Sequence, residues 1–404
     1  MNKTSNIESN SFSIPVPENF PKTIPLTSYR VIQLSNDLYF AIQEVSNDPL
    51  CPNGIFSISV AVDRSVLAAL TRARYEAAER FALAAVLGGH KFINCLEIDP
   101  SDIFEFSIQL NSPLNGRGRS FDSLFLEFTE VFNTEKKYVA IADVFAPYPI
   151  GSEECSWHPS TNGVAVGTSY ESAKLASFTE FLERHSIMKY WYNEKSSYIV
   201  EQHELQNIAA IEVAYLNTLD YDLTCLEIST LSSFFVILIF AKNRSYNYPY
   251  VVCAAGSAMT LQGAVRKAVQ ETIQTLIASA GQTDQFLKWK HSGEMINSLD
   301  HRMYFYADPS KSDLIDQVLL DITLKSNKLK NRPNNIGTFS FESLQQLGDD
   351  VAFLDITPTA WNGVLHCVRC YSSTMFPLLV SENMVTNDCK INLKSRLGLP
   401  HPFP

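Results

Sequence analysis

Three long stretches of the chain carry apolar residues at helical spacing, and strand-like runs separate them. The first, Ser65 to Leu87 ("SVLAALTRARYEAAERFALAAVL"), stops at Gly88-Gly89, a pair suited to ending a helix. The second, Ser169 to Asn193 ("SYESAKLASFTEFLERHSIMKYWYN"), follows Thr168, which with Glu171 has the spacing of a capping box. The third, Leu261 to Ala280 ("LQGAVRKAVQETIQTLIASA"), follows Thr260, a good N-cap. Between the second and third lie "LTCLEIST", "FFVILIFAKN" and "YPYVVCAAG", rich in β-branched and aromatic residues and parted by turn-like "LSS" and "NRSYN". That pattern predicts consecutive antiparallel strands. "KKYVAIADVFA", "VAFLDIT" and "GVLHCVRCYS" predict further strands. The mixed order predicts an α+β fold, with mixed or antiparallel sheets packed with long helices. Residues 1–58 read as an irregular N-terminal segment and 59–404 as one domain.

Composition narrows the function. With 404 residues, 46% hydrophobic and 19% charged, the chain can bury a sizeable core. A net charge of −11 and the lack of a basic run argue against nucleic acid as a partner. The short basic stretch "NGRGRSF", Asn115 to Phe121, reads as a loop. The most apolar run, Phe234 to Ala241, is far shorter than the ~20 residues a membrane span needs. The opening "MNKTSNIESNSFS" lacks the apolar core of a signal peptide. Eight cysteines are scattered without framework spacing, so a reduced, cytoplasmic protein is expected.

The helices carry the candidate chemistry. "EAAER" in the first (Glu76, Glu79, Arg80) and "EFLER" in the second (Glu180, Glu183, Arg184) share the form E-x-x-E-R. Positions i, i+3 and i+4 share a face, so each helix presents two carboxylates and a guanidinium together. One turn earlier that face carries Ala69, Arg72 and Ala73 in one helix, Ala173 and Ala176 in the other. Small residues there would let a second helix or a ligand approach closely. On the third helix Ala264, Lys267, Ala268, Glu271 and Gln274 share a face. A lone E-x-x-E-R stripe is ordinarily a solvated face with a weak local ion pair. Repetition on helices this apolar points instead to buried carboxylates, which need cations. Two bare carboxylates ~4 Å apart repel by roughly 4 kcal/mol at an effective dielectric near 20. Mg²⁺ with bound phosphates would offset that charge. No P-loop, GxGxxG, GxSxG or HExxH motif is present, so any nucleotide is held without a glycine-rich cradle.

Other candidates carry less. In "HCVRC", strand periodicity points Cys367 and Cys370 to opposite faces, which argues against zinc. Cys155 and His158 ("CSWH") read as loop or core residues, and His185 as a packing residue beside Trp191.

The stretch "STNGVAVGTSYESAKLASFTEFLERHS", Ser160 to Ser186, resembles the signature region of the YcaO superfamily, where an Asn-Gly segment leads into an ExxER helix. "ARYEAAERF" resembles its earlier ExxER helix, and "AVRKAVQETIQ" its third helix. The pair Glu171-Ser172 stands where relatives often carry two acidic residues. The ending "PHPFP" resembles the PxPxP-type terminus of the azoline-forming members.

The resemblance implies a YcaO-type fold whose long helices build a nucleotide site, and an ATP- and Mg²⁺-dependent cyclodehydratase. Such an enzyme makes thiazoline or oxazoline rings from Cys, Ser or Thr of a ribosomally made precursor peptide, as in azole-modified antibiotics. It implies that Glu76, Glu79, Glu180 and Glu183 hold Mg²⁺ and phosphates, and that Arg80 and Arg184 pair with phosphates or with those carboxylates. Asn162, Glu271 and Gln274 would join the nucleotide pocket. Pro400, Pro402 and Pro404 would bring an extended terminus to the reacting amide, with the Pro404 carboxylate as a base. Implied partners are the precursor peptide, a separate leader-binding subunit in a multi-subunit complex, and a flavin-dependent azoline oxidase. Family members that form thioamides or amidines, and a scaffold subunit without chemistry of its own, are the alternative readings.

Overall fold

The computed structural model describes residues 16, 20–52, 57–104, 124–132, 136–146, 161–192, 197–329, 339–341, 351–379 and 399–403. Pro404, Cys155, His158 and the 115–121 stretch lie outside them.

The chain opens with β1 (Leu26–Ser35), β2 (Leu38–Val45) and β3 (Ile58–Asp63), an antiparallel three-stranded sheet covered by α1 (Val66–Ala84). The described part of the segment expected to be irregular thus holds a hairpin. Short strands β4 (Ile93–Asn94), β5 (Leu124–Glu127), β6 (Glu130–Val131) and β7 (Tyr138–Ala140) follow. "KKYVAIADVFA" yields only β7, because a 3₁₀ turn at Ile141–Asp143 ends it. Next come β8 (Val164–Gly167), α2 (Tyr170–Tyr192), β9 (Tyr198–Ile199) and α3 (Gln202–Thr218). The predicted meander is present as β10 (Tyr221–Glu227), β11 (Phe235–Asn243) and β12 (Val251–Ala258), followed by α4 (Leu261–Gly281). Helices α5 (Thr283–Ser292), α6 (Leu299–Ala307) and α7 (Ser312–Lys325) precede β13 (Asn327–Lys328), β14 (Val351–Asp355) and β15 (His366–Ser372).

Two sheets frame the centre, ordered β12-β11-β10-β9-β13 and β6-β14-β15-β8. Period 2 accounts for the uninterrupted apolar run of β11. Phe235, Ile237, Ile239 and Ala241 pack toward α3 and α4, whereas Val236, Leu238 and Phe240 pack toward the C-terminal half of α2 and α7. Both faces are covered, so no position needs to be polar. The other sheet behaves likewise. Cys367 and Tyr371 of β15 share a cluster with Phe81 of α1, while Val368 and Cys370 share one with Phe178 and Phe181 of α2. Helix α2 therefore runs between the two sheets, and its buried residues lie on nearly every side.

Each central helix is launched the same way. A strand ends, one residue follows, and a Ser or Thr hydroxyl accepts from the backbone N–H three positions on. Ser65 does this for Ala68 and Thr260 for Gly263. The second helix departs from expectation by one residue: Ser169 and Ser172 cap each other reciprocally, at 3.2 and 3.1 Å, rather than Thr168 and Glu171. The small residues beneath the charged faces receive the launching strands, not another helix. A Cβ on Gly167 would meet the backbone N of Ala173 at 2.5 Å, and one on Gly256 the backbone N of Ala268 at 2.4 Å and the carbonyl of Ala264 at 2.6 Å.

Gly256→Ala is accordingly expected to destabilise the protein by about 2 kcal/mol or more. Gly281→Ala, at a helix end where an added Cβ meets nothing within 4 Å, is expected to be neutral or to gain up to about 1 kcal/mol. Urea unfolding of the two variants beside the wild type measures both; equal midpoints would show that the strand can move away from α4.

Candidate active site

Counting from the cap residues Ser65, Ser169 and Thr260 puts α1, α2 and α4 in one register. Eleven positions on stand Glu76, Glu180 and Glu271; fourteen on, Glu79, Glu183 and Gln274. The four-residue steps beneath them are buried in all three helices: Ala69, Ala173 and Ala264, then Ala73, Ser177 and Ala268. With the same stripe pressed on its strand, each helix turns the same positions toward a shared, half-buried region.

The charges there are matched both within and across helices. Glu76 accepts from Arg80 Nη2 (2.6 Å) and from the backbone N–H of Val60 (2.8 Å). Arg184 Nη2 stands 3.7 Å from Glu180 Oε1. Glu183 accepts from the Ser257 hydroxyl (2.8 Å) and from Lys267 Nζ (3.3 Å). Arg72 Nη2 lies 3.5 Å from Glu271, and its Nη1 donates to Gln270 Oε1 (2.5 Å) and to the Val62 carbonyl (2.9 Å). Gln270 in turn donates to Glu212 (3.4 Å), which is fully buried and chelated by Arg64 at 2.9 and 2.7 Å. Among the described residues no cation lies within ion-pair distance of Glu79.

Proton affinities follow from this arrangement. Burial, and after it the nearby carboxylates Glu180 and Glu76, hold the Glu79 carboxyl well above the ordinary range. Burial pushes Glu180 from its ordinary 4.5 to about 7, although Arg184 and Lys267 act the other way. Glu271 is raised by burial, partly offset by Arg72 and Lys267. Burial would raise Glu183 too, but Lys267, Arg184 and the Ser257 hydroxyl together outweigh it and hold that carboxyl below the ordinary range.

Residues 399–403 reach this region from the other side. Three consecutive carbonyls of the segment accept hydrogen bonds: Leu399 from Trp191 Nε1 (3.1 Å), Pro400 from the Tyr306 hydroxyl (2.7 Å) and His401 from Arg302 Nη1 (3.4 Å). The fully buried His401 lies with its Nε2 2.6 Å from the Leu379 carbonyl. The Phe403 ring lies 4.4 Å from the Arg184 guanidinium carbon. Arg184 Nε and Nη1 are buried with no hydrogen-bond partner among the described residues.

Glu76, Glu79, Arg80, Glu180, Glu183, Arg184 and Glu271 share the region, and Gln274 is buried on the same face of α4. Pro400 and Pro402 lie in the docked segment. Asn162 is buried, and its amide donates to the Leu378 carbonyl at 3.1 Å, next to the Leu379 carbonyl that His401 approaches. Gly163 beside it has φ of 67°, and a Cβ there would meet the Cys370 carbonyl at 2.7 Å, so this position requires glycine. His185 accepts from the Phe376 N–H (2.8 Å) and packs on that ring, not beside Trp191.

Sequence reading placed Arg72 and Lys267 on the charged faces but assigned them no partner; the register from the caps is the signal that singles them out, seven positions on in their helices. Ser257 and the fully buried Arg369, whose charge lowers the proton affinity of Glu180, sit on strands and carry no such signal.

The Glu180 shift has a definite sign. The unfolded carboxyl ionises near 4.5 and the folded one near 7, so its contribution to stability is full below the lower value and is lost as pH rises to the upper. Glu180→Gln is expected to raise the stability of the metal-free protein more at pH 8 than at pH 5, by on the order of 1–3 kcal/mol. Urea unfolding at the two pH values checks this, and an equal effect at both would contradict it.

Comparison with known proteins supplies the family. Residues 63–375 match the family model described as YcaO cyclodehydratase, ATP- and Mg²⁺-binding. No protein of curated function matches the chain in sequence. Solved structures share the fold at low identity. A chain of the E. coli microcin synthetase McbBCD complex with pro-MccB17 bound is 16% identical with a TM-score of 0.63, covering 95% of this chain and 97% of that one. YcaO from Methanopyrus kandleri bound with AMPPCP and Mg²⁺ is also 16% identical at 0.63, covering 91% and 90%. A heterocyclase in complex with substrate and cofactor is 15% identical at 0.61; 87% of this chain is covered, and it spans only half of that protein's length. With a family model matching most of its length and an acidic face built from both ExxER helices, the chain belongs to the YcaO family.

Proposed function

We propose that the protein is an ATP-dependent cyclodehydratase that forms thiazoline or oxazoline rings from Cys, Ser or Thr residues of a ribosomally made precursor peptide. The observation that carries this reading is the docked segment 399–403, whose Phe403 lies on Arg184 of the second ExxER motif. It joins the feature that marks azoline-forming members to the nucleotide-binding feature of the whole family. ATP with Mg²⁺, when bound, supplies the phosphoryl group that makes the peptide amide oxygen a leaving group.

This chain's residues suit such a ligand. The region gathers the carboxylates Glu76, Glu79, Glu180, Glu183 and Glu271, and the buried donors of Arg184, without a hydrogen-bond partner among the described residues, suit phosphate oxygens. Glu76, Glu79, Glu180 and Glu183 would hold Mg²⁺ and its phosphates; Mg²⁺ typically takes one or two carboxylates and completes its shell with phosphate and water. Glu271 and Gln274 would border the nucleotide. Pro400 and Pro402 keep the docked segment extended, so that Pro404 would be presented to the reacting amide as a base. The neighbours' titles, a microcin synthetase complex with pro-MccB17 and a heterocyclase with substrate, support a peptide substrate and action within a multi-subunit assembly. A separate leader-binding subunit, a flavin-dependent azoline oxidase and a cytoplasmic setting belong to the same reading.

Calorimetry with Mg²⁺ and ATP is expected to show binding by the wild type and at least about a tenfold weakening in Glu79→Gln and in Glu183→Gln. Deleting residues 400–404 is expected to leave nucleotide binding within a few-fold and to lower ring formation about a hundredfold, read by mass spectrometry as loss of one water per ring. A wild type that binds no nucleotide even with partner subunits present would overturn the reading in favour of a scaffold subunit. Gain of sulfur in place of water loss would point to a thioamide.

A further inference from the structure

The common register of the three helices exposes a break in their pattern. Seven positions after the cap stand Arg72 in α1, Lys267 in α4 and Ala176 in α2. The two cations each reach a carboxylate of a different helix: Arg72 of α1 pairs with Glu271 of α4 at 3.5 Å, and Lys267 of α4 pairs with Glu183 of α2 at 3.3 Å. Continued once more, the series would run from α2 back to α1. There the seventh position is an exposed alanine, and the carboxylate left without a cation among the described residues is Glu79 of α1.

We infer that Ala176 is the residue that reserves the α1–α2 face for an exogenous cation: it omits the third internal counter-ion, leaving Glu79 to a divalent metal. This rests on the proposed function for the identity of the cation, Mg²⁺ carried with nucleotide. Physically, an ammonium tethered beside Glu79 would be held there at a standing effective concentration and would compete with the metal. The other two faces, closed by Arg72 and Lys267, are held together without any ligand. The open face is the one whose cohesion depends on what binds. Specificity for a metal over self-neutralisation then comes from a side chain that is missing, a device of the kind that separates one partner from another by what is withheld.

The test is Ala176→Lys beside Ala176→Gln, which has similar bulk and no charge. Position 176 is exposed, so both variants are expected to fold. In calorimetry with Mg²⁺ and ATP, Ala176→Lys is expected to lose at least tenfold in affinity while Ala176→Gln stays within about threefold of the wild type. In metal-free thermal unfolding at pH 8, Ala176→Lys is expected to melt about 2 °C or more above Ala176→Gln, and the difference is expected to vanish in a Glu79→Gln background. Equal affinities of Ala176→Lys and wild type, or equal losses in both variants, would overturn the inference. If the wild type binds no Mg²⁺ with ATP, the proposed function fails by itself. The metal-free melting difference and its dependence on Glu79 then still decide whether position 176 is the absent counter-ion.

Discussion

Carboxylates removed from water beside one another repel strongly, and the interior where α1, α2 and α4 meet is organised around that repulsion. Its members are not neutralised one by one on their own helices. Arg80 and Arg184 serve their own motifs, but Arg72 and Lys267 each lean across to a different helix. The distances between helices are thereby tied to electrostatics, while the buried alanine and serine stripe sets each helix tightly on its launching strand. Were the strands held further off by larger side chains, the charged faces would separate and the cross-helix pairs would lengthen into water, where such pairs contribute little.

The same constraint accounts for the network behind the site. Arg72 cannot both reach Glu271 and remain mobile; Gln270 and the Val62 carbonyl fix it, and Gln270 is itself held by the buried Glu212, which Arg64 chelates. A hydrogen-bonded chain thus runs from α3 through α4 to α1. Ion pairs with a buried carboxylate add little net stability relative to apolar packing, and stranding the buried partner is costly. Their presence here reads as geometric control over one guanidinium.

Much of this was legible in the sequence. The central helices were recognisable because their apolar stripes persist for some twenty residues and begin at good caps. The β10–β12 meander was legible because its turns are short and its strands are buried on both faces. The hairpin of β1 and β2 was not, since β1 is half-exposed on both sides and shows no clean alternation. Helix α3 hides its period behind a non-helical residue, Ala209. The cap of α2 was misjudged by one residue because Thr168-Ser169 offers two adjacent hydroxyls, and only packing of Ala173 on Gly167 selects the second. The ExxER faces were visible, but the cross-helix partners were not. An i,i+4 spacing reports on one helix, whereas the partner of Arg72 depends on how two strands set their helices side by side.

The docked segment meets a problem that extended chain in a core usually solves by joining a sheet. Its carbonyls find side-chain donors, yet an ordinary pentapeptide would also bring five N–H groups in search of acceptors. Alternating proline removes that demand at every second position, because Pro400 and Pro402 have no N–H to leave stranded. The segment can therefore be buried without pairing to a strand among the described residues. Replacing the buried Pro402, even by alanine, would introduce a donor at a depth where water does not readily follow. The alternation is thus a solvation device as much as a conformational one, and it lets the chain pass beside Arg184 without taking a strand's worth of space from the site.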